Sequence, residues 1–356
     1  MRQCVLGLIL VMAVATAVEA GPVTLRWDPS PETDVASYVL NVGTAPGVYT
    51  QKINVGKTTS WTFPALDESV PHYFAVQAQN AAGLQSPVSN EVVLPARPAA
   101  IKDFGTDGGD DILWQHTDGW LSVWNMNQAH LLSAALLSPA QVPDPNWRIA
   151  ATCDLNADGR PDIVWRHRTA GWIAVWFMHG TQLASDTLFN PGRVEDPRWR
   201  IVGCADFDRD GQPDLLWQHD SGLIGVWLMN GTTLGTSLLL TPSQLPPDTW
   251  QVVGTGDLNA DGHTDILWQH KGGWVSAWLM NDTVLRTAVL LTPARVAPEW
   301  RIRGVADLNQ DGRPDLLWQH TNGSLSVWFM DGATMVGGVL LDPPQVGAGW
   351  QIVGPK

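Results

Sequence analysis

The stretch Trp199-Arg-Ile-Val-Gly-Cys-Ala-Asp-Phe-Asp-Arg-Asp-Gly-Gln-Pro-Asp-Leu-Leu-Trp-Gln-His219 decides the fold. Two short runs rich in Ile, Val, Leu and Trp flank a nine-residue loop of Asp, Gly and Pro, the pattern of two β-strands joined by a turn-forming segment. Leu223-Ile-Gly-Val-Trp-Leu-Met229 and Thr236-Ser-Leu-Leu-Leu240 follow, with turns at Ser221-Gly222 and Asn230-Gly231. Residues 199–249 therefore read as four antiparallel strands. They are apolar on both faces, as expected of a sheet covered by a neighbour on each side.

Working outward, the unit recurs. Trp114, Trp165, Trp217, Trp268 and Trp318 stand 51, 52, 51 and 50 residues apart. Trp124, Trp176, Trp227, Trp278 and Trp328 keep step with them, as do Trp147, Trp199, Trp250, Trp300 and Trp350. Because all three series fall on predicted strands, they are expected in the core between units. Five four-stranded units of this size predict an all-β chain folded as a five-bladed β-propeller of about 51-residue repeats. The first unit opens at Lys102-Asp-Phe104 without the Trp-Arg-Ile-Val-Gly strand of the others, and that strand reappears as Trp350-Gln-Ile-Val-Gly354. A ring needs its last strand to complete its first unit, so the propeller is predicted over 102–354, closed by 350–354.

Four of the loops share one spacing. Oxygen side chains occupy positions 1, 3, 5 and 9: Asp154, Asn156, Asp158 and Asp162; Asp206, Asp208, Asp210 and Asp214; Asp257, Asn259, Asp261 and Asp265; Asp307, Asn309, Asp311 and Asp315. Gly at position 6 permits a sharp turn, and position 7 (Arg160, Gln212, His263, Arg313) is placed to give its backbone carbonyl. Six to eight oxygens around one point suit Ca²⁺ better than Mg²⁺, which demands a strict octahedron and keeps its waters. About four structural calcium ions are expected, and they would bring the formal charge of −14 to about −6. The first unit keeps Asp103, Asp107 and Asp111 but has Gly105 at position 3, so it is a weak or empty site. An EF-hand would need an acidic residue at position 12, where these loops place Trp165, Trp217, Trp268 and Trp318. The loops instead resemble the FG-GAP or VCBS-type repeats of integrin α-subunit propellers. The resemblance implies that the Asp and Asn residues just named are the calcium ligands, and propellers of related type include lectins.

The N-terminal part differs. Val23-Thr-Leu-Arg-Trp27, Ser37-Tyr-Val-Leu-Asn-Val42, Ser60-Trp-Thr-Phe63, His72-Tyr-Phe-Ala-Val-Gln-Ala78 and Asn90-Glu-Val-Val-Leu94 alternate as the strands of a small β-sandwich over 21–95. Trp27, Pro29, Tyr38, the run Tyr73 to Gly83 and Ser89-Asn-Glu91 resemble fibronectin type III modules. Residues 96–101 read as a stiff linker. Residues 1–20, with Arg2, an apolar run from Val5 to Val18 and Val18-Glu-Ala20, read as an export signal cleaved before Gly21. A secreted or periplasmic monomer without a membrane span is expected. Once Cys4 leaves with the signal, Cys153 and Cys204 remain; a bridge between them is one reading, two separately buried thiols the favoured one.

Function follows by elimination. Net charge −14 argues against nucleic acid. From residue 101 onward there are only two glutamates, Glu195 and Glu299, and no Ser or Cys nucleophile pattern, so no enzyme activity is expected. The position after the hairpin Gly varies: Trp120, Trp172, Leu223, Trp274 and Ser324. Packing alone does not dictate it, and an aromatic on a turn can stack on a sugar. His116, His167 and His270 stand close in sequence to offer hydrogen bonds to hydroxyls. The expected role is a binding or adhesion module for glycans or extracellular matrix, its partner a glycan or extracellular protein, with a protein-interaction scaffold and a carbohydrate-active enzyme as the alternatives.

Overall fold

The computed structural model describes residues 10–13, 23–63, 72–94, 102–105, 108–246 and 249–356, and these contain strands and turns without a helix. The chain divides into two compact units, residues 1–99 and 100–356.

The first unit holds a three-stranded sheet (Leu10–Ala13, Val23–Trp27, Ser60–Phe63) and a four-stranded sheet in the order Gln51–Gly56, Val35–Gly43, His72–Asn80, Val92–Leu94. Leu25 and Trp27 of the first sheet share one buried cluster with Leu40, Phe74 and Val76 of the second. Tyr38 meets Trp27 edge-on at 5.8 Å, and its hydroxyl accepts the Ser30 N–H at 2.8 Å. The strand Gln51–Gly56 was not expected from the sequence; its polar, half-exposed pattern belongs to a sheet edge, where alternation of apolar residues is weak. Leu10–Ala13, within the expected export signal, lies antiparallel to Val23–Trp27. The rest of that signal and the expected linker at 96–101 lie outside the described residues.

Twenty strands of the second unit form a closed ring of four-stranded antiparallel sheets. In the third of them the strands are Trp199–Ala205, Asp214–His219, Leu223–Asn230 and Thr233–Gln244. The fourth strand runs past the expected end at Leu240 and through Pro242, which an outer edge strand tolerates because no ladder partner needs the missing N–H. The first sheet has Ile112–His116, Trp120–Asn127 and His130–Gln141 from its own stretch of chain. Its remaining strand is Trp350–Gly354, antiparallel, with Trp350 opposite His116 and Ile352 opposite Trp114. The outer strands close the circle too: Asp342 N–H donates to Ala129 O at 2.8 Å, as Ser138 N–H does to Thr181 O at 2.9 Å.

Packing explains why the ring holds. Each buried cluster draws on two adjacent sheets: Val175 and Phe189 with Ile201 and Trp217, for example, and Ile112 and Trp114 with Leu317 and Leu341 across the closure. The first tryptophan series is fully core, Trp114 to Trp318 being 1–3 % exposed. The other two series depart from the expectation. Apart from Trp278, the second is half-buried against the first at 4.6–4.8 Å, and the third is half-buried, each indole packing on a histidine at 5.0–5.1 Å. The outer strands also keep exposed leucines, at 132, 136, 188, 239, 290 and 340, because no neighbouring sheet covers them there.

Adjacent sheets are clasped by glutamines. Gln218 donates to Trp250 O (2.9 Å) and accepts from Val252 N (3.1 Å), and Gln115, Gln269 and Gln319 do the same to the next first strand. Between the second and third sheets the equivalent residue is Arg166, which has no acceptor. It bonds Gly171 O and Val194 O and lies over Trp217 at 5.6 Å. That junction carries the disulfide Cys153–Cys204, with Cα atoms 5.9 Å apart. The favoured reading of two separate thiols is thus corrected. It treated each thiol within its own repeat, whereas the first strands of neighbouring sheets lie side by side and bring the two positions into register.

Candidate functional site

Strand direction sorts the candidate residues to two faces. Each acidic loop joins the end of a first strand to the start of a second, and the chain then returns to the His hairpin, so the loops and Trp120, Trp172 and Trp274 sit at opposite ends of the strands.

In the loops, Gly159, Gly211, Gly262 and Gly312 take φ of +80° to +87°, the left-handed region glycine adopts freely. The residue two before each, Ala157, Arg209, Ala260 or Gln310, is also left-handed at +58° to +62°. The chain thereby curls around its first carboxylate. Asp206 accepts from Arg209 N at 2.6 Å and Gly211 N at 2.9 Å; Asp154 accepts from Asp158 N at 3.1 Å and Gly159 N at 2.7 Å. Asp257 and Asp307 repeat the Asp154 pattern. Asp206, Asp208 and Asp210 bring carboxylate oxygens within 4.8 Å of one another, a set that can hold a metal ion. Burial, then the charges of Asp210 and Asp206, push the Asp208 carboxyl above its ordinary range. Like charges this close favour a cation between them. In the other three loops Asn156, Asn259 and Asn309 stand at position 3, each donating its amide to Asp158, Asp261 or Asp311 at 2.9–3.2 Å. At position 7 the side chains turn away to the neighbouring hairpin: Arg160 to His179, Gln212 to Gly231 N, His263 to Asp282 and Arg313 to Asp331. In the first loop Asp103 accepts Gly108 N at 2.7 Å, and Asp107 lies outside the described residues.

Position 9 has a structural job that the sequence did not reveal. Asp162, Asp214, Asp265 and Asp315 are fully buried. In each, one oxygen accepts the N–H after position 1 and the other accepts an N–H of the third strand: for Asp214, Phe207 and Met229, both at 2.8 Å. Asp111 does the same for Phe104 and Met126. The side chain latches loop to sheet, and Asp214 is not part of the 206/208/210 cluster. Burial raises these carboxyls, to about 7 for Asp162 and Asp315 and about 6 for Asp214 and Asp265, against the lowering effect of the N–H bonds.

On the opposite face Trp120, Trp172 and Trp274 are 40 %, 39 % and 40 % exposed. Arg193 and Arg295, opposite them on the fourth strand, stack over Trp172 and Trp274 at 5.7 and 5.6 Å. The histidines are placed differently from the expectation. Nδ1 of His116, His167 and His270 accepts a backbone N–H of its own hairpin at 3.1, 2.9 and 2.9 Å, which leaves the proton on Nε2. Nε2 of His116 then donates to Ala348 O at 3.2 Å and that of His167 to Asp144 at 3.1 Å. Both nitrogens of these two rings are used within the fold.

No curated protein matches the chain by sequence. Among solved structures, an Erwinia chrysanthemi pectate lyase in complex with tetragalacturonic acid aligns at 16 % identity over 25 % of this chain and 28 % of the lyase, TM-score 0.21. A leech intramolecular trans-sialidase aligns at 12 % identity over 83 % of this chain and 40 % of its own, TM-score 0.31. The computationally designed Ika8 protein aligns at 11 % identity over 89 % and 90 %, TM-score 0.30. Likenesses this distant carry no argument for this chain. By family, residues 154–217 and 206–268 match the model of the FG-GAP-like repeat, so the stretch 154–268 carries FG-GAP-like repeats.

Proposed function

We propose that this chain is an exported calcium-binding protein, a five-bladed β-propeller behind a fibronectin type III-like module, that binds glycans through the face opposite its metal loops. The closed ring of five sheets supports the propeller, and the two packed sheets of residues 23–94 support the module. A disulfide is at home in an oxidising compartment, in keeping with the signal-like N-terminus. Among the described residues no helix is long and apolar enough to cross a membrane.

For calcium the carrying observation is the carboxylate triad Asp206, Asp208 and Asp210 on a loop curled by Gly211. The three loops with Asn at position 3 keep the same spacing and backbone turn, and bind one ion each. In each loop the backbone carbonyl of position 7 completes the ligand set, its side chain being engaged elsewhere, and the position 9 carboxylate lies behind, latched to the third strand. Calcium here fastens loop to sheet.

For the ligand the carrying observation is three equivalent indoles, each about two-fifths exposed on one face, two of them backed by an arginine that holds the ring. A sugar ring stacks on such a platform. Binding, not catalysis, is the proposed activity. A labelled glycan panel probed with calcium tests it: binding that falls at least tenfold in the Trp120→Ala, Trp172→Ala and Trp274→Ala variants supports it. A panel without hits, or variants that bind as the parent does, sinks it and leaves the protein-interaction scaffold as the reading to pursue.

A further inference from the structure

The first strands of the five sheets face one another around the ring axis, and a cavity of about 460 Å³ lies between them. Its lining departs from the charge of the whole chain. The net charge is −14, yet six arginines and Lys356 line this cavity and no Asp or Glu does. The repeat shows how they come there. In the motif Trp-X-Ile/Val-X, the two X positions of four strands line the cavity: Arg148, Arg200, Gln251 and Arg301 at the first, Ala150, Val202, Val253 and Arg303 at the second; the closing strand carries Gln351 and Val353 at the same positions.

Arg303 stands where the other four strands carry a small apolar residue. A position that served packing alone would be apolar in all five. Its Nε is buried and has no hydrogen-bond partner. Among the described residues only Arg200 of this group has a carboxylate in ion-pair contact, Asp220 at 3.1 Å. Arg148 reaches only backbone carbonyls, Trp147 O and Thr117 O, both at 3.4 Å. Unpaired cations gathered in a concave, partly desolvated space cost free energy unless an anion joins them.

We propose that this axial cavity binds a compact oxyanion ligand carrying two or more carboxylate, sulfate or phosphate groups, with Arg301 and Arg303 as its principal contacts and Arg148, Arg200 and Lys356 around it. Guanidinium groups bind such oxygens in pairs, and the volume is within the range of small-molecule sites. The crowding of like charges is felt by its members. Burial and then the charges of Arg303 and Arg200 push Lys356 down to about 8, and burial and then Arg301 lower Arg303. None of Trp120, Trp172 or Trp274 lines this cavity, so the site stands apart from the glycan platform, and failure of either leaves the other untouched.

The test is calorimetric titration of the full chain with calcium present, using inorganic pyrophosphate, a sulfated disaccharide, a uronic-acid disaccharide and cellobiose as the neutral control. The expected result is one-site binding of at least one charged probe that weakens with salt, no binding of cellobiose, and a loss of tenfold or more in Arg303→Met and in the Arg301→Ala/Arg303→Ala double variant. Lys52→Ala, an exposed cation of the N-terminal unit, should bind as the parent does. Pyrophosphate binding alone would assign a free phosphate compound; disaccharide binding would assign an acidic saccharide. Thermal melting separates a binding role from a structural one. Arg303→Met should raise the midpoint of the ligand-free protein, since it removes an unpaired charge, and should abolish the rise that the bound probe gives the parent. No charged probe binding at millimolar concentration, equal binding by the double variant, or a lower ligand-free midpoint in Arg303→Met would overturn the proposal.

Discussion

Asp208 concentrates the account at the scale of one residue. It is the position 3 carboxylate that the other three loops replace by Asn, and it faces Asp206 and Asp210 with its own carboxyl raised by burial and by their charge. Asp208→Asn should therefore melt higher than the parent in EGTA, where repulsion is relieved, and should gain less from added calcium; differential scanning calorimetry in both buffers reads both changes. A bound ion at one hundred times its dissociation constant adds about 2.7 kcal/mol per site. The buried latches set a pH dependence. Asp162, Asp214, Asp265 and Asp315 have folded values near 6–7, above the ordinary value of about 3.9 for an unfolded Asp. The folded state thus holds the protons more tightly, and the stability these groups contribute is present below about pH 4 and lost as pH rises through 6–7. In EGTA the melting midpoint should be higher at pH 5 than at pH 8. Calcium, which favours the ionised loops, should flatten that difference. A midpoint that climbs from pH 5 to pH 8 in EGTA would show that these carboxyls are not the controlling groups.

At the scale of an element, the junction between the second and third sheets is the informative one. Four junctions are bridged by a glutamine that both donates to and accepts from the next first strand; here Arg166 can only donate, and the disulfide takes over. The bridged cysteines are 51 residues apart, so removing the bond should cost up to about 4 kcal/mol by the loop-entropy estimate. A Cys153→Ala/Cys204→Ala variant should unfold at lower urea than the parent, and adding Arg166→Gln should recover about 1–2 kcal/mol by restoring the clasp. Further loss with Arg166→Gln would mean that stacking on Trp217 is the larger contribution at that junction. How much could be read from sequence follows the same line. The tryptophan spacing, the Asp-Gly loops and the displaced strand at 350–354 are local patterns repeated five times, and repetition made them legible. The cysteine bridge, the glutamine clasps and the axial arginines depend on which faces of separate repeats meet, and only alignment of the five Trp-X-Ile/Val-X strands would have marked Arg303 as the odd one. His116 and His167 depart from the expectation for a related reason. Their Nδ1 is consumed by the hairpin backbone, a contact that residue type and spacing do not show.

For the whole molecule, the ring is the condition on which loops and faces are held in place. Removing residues after Ala348 takes away Trp350–Gly354, and Ile352 with it, opens the first sheet and uncovers Ile112 and Trp114 of the cluster packed against the fifth. The truncated chain should melt far below the parent, by more than eight surface residues would account for, and should expose strand edges that promote association; light scattering and calorimetry follow both. An unchanged midpoint would mean that the two ends of the repeat region contribute little to each other. The central claim, that evenly spaced short carboxylates capture divalent ions, is tested most directly by the calcium content of the protein after dialysis against micromolar calcium, measured by plasma emission alongside a thermal melt in EGTA. The account expects about four ions per chain, one fewer in an Asp206→Asn/Asp208→Asn/Asp210→Asn variant, and a lower melting midpoint once they are stripped. Calcium near zero, with a midpoint that EGTA does not move, would contradict it.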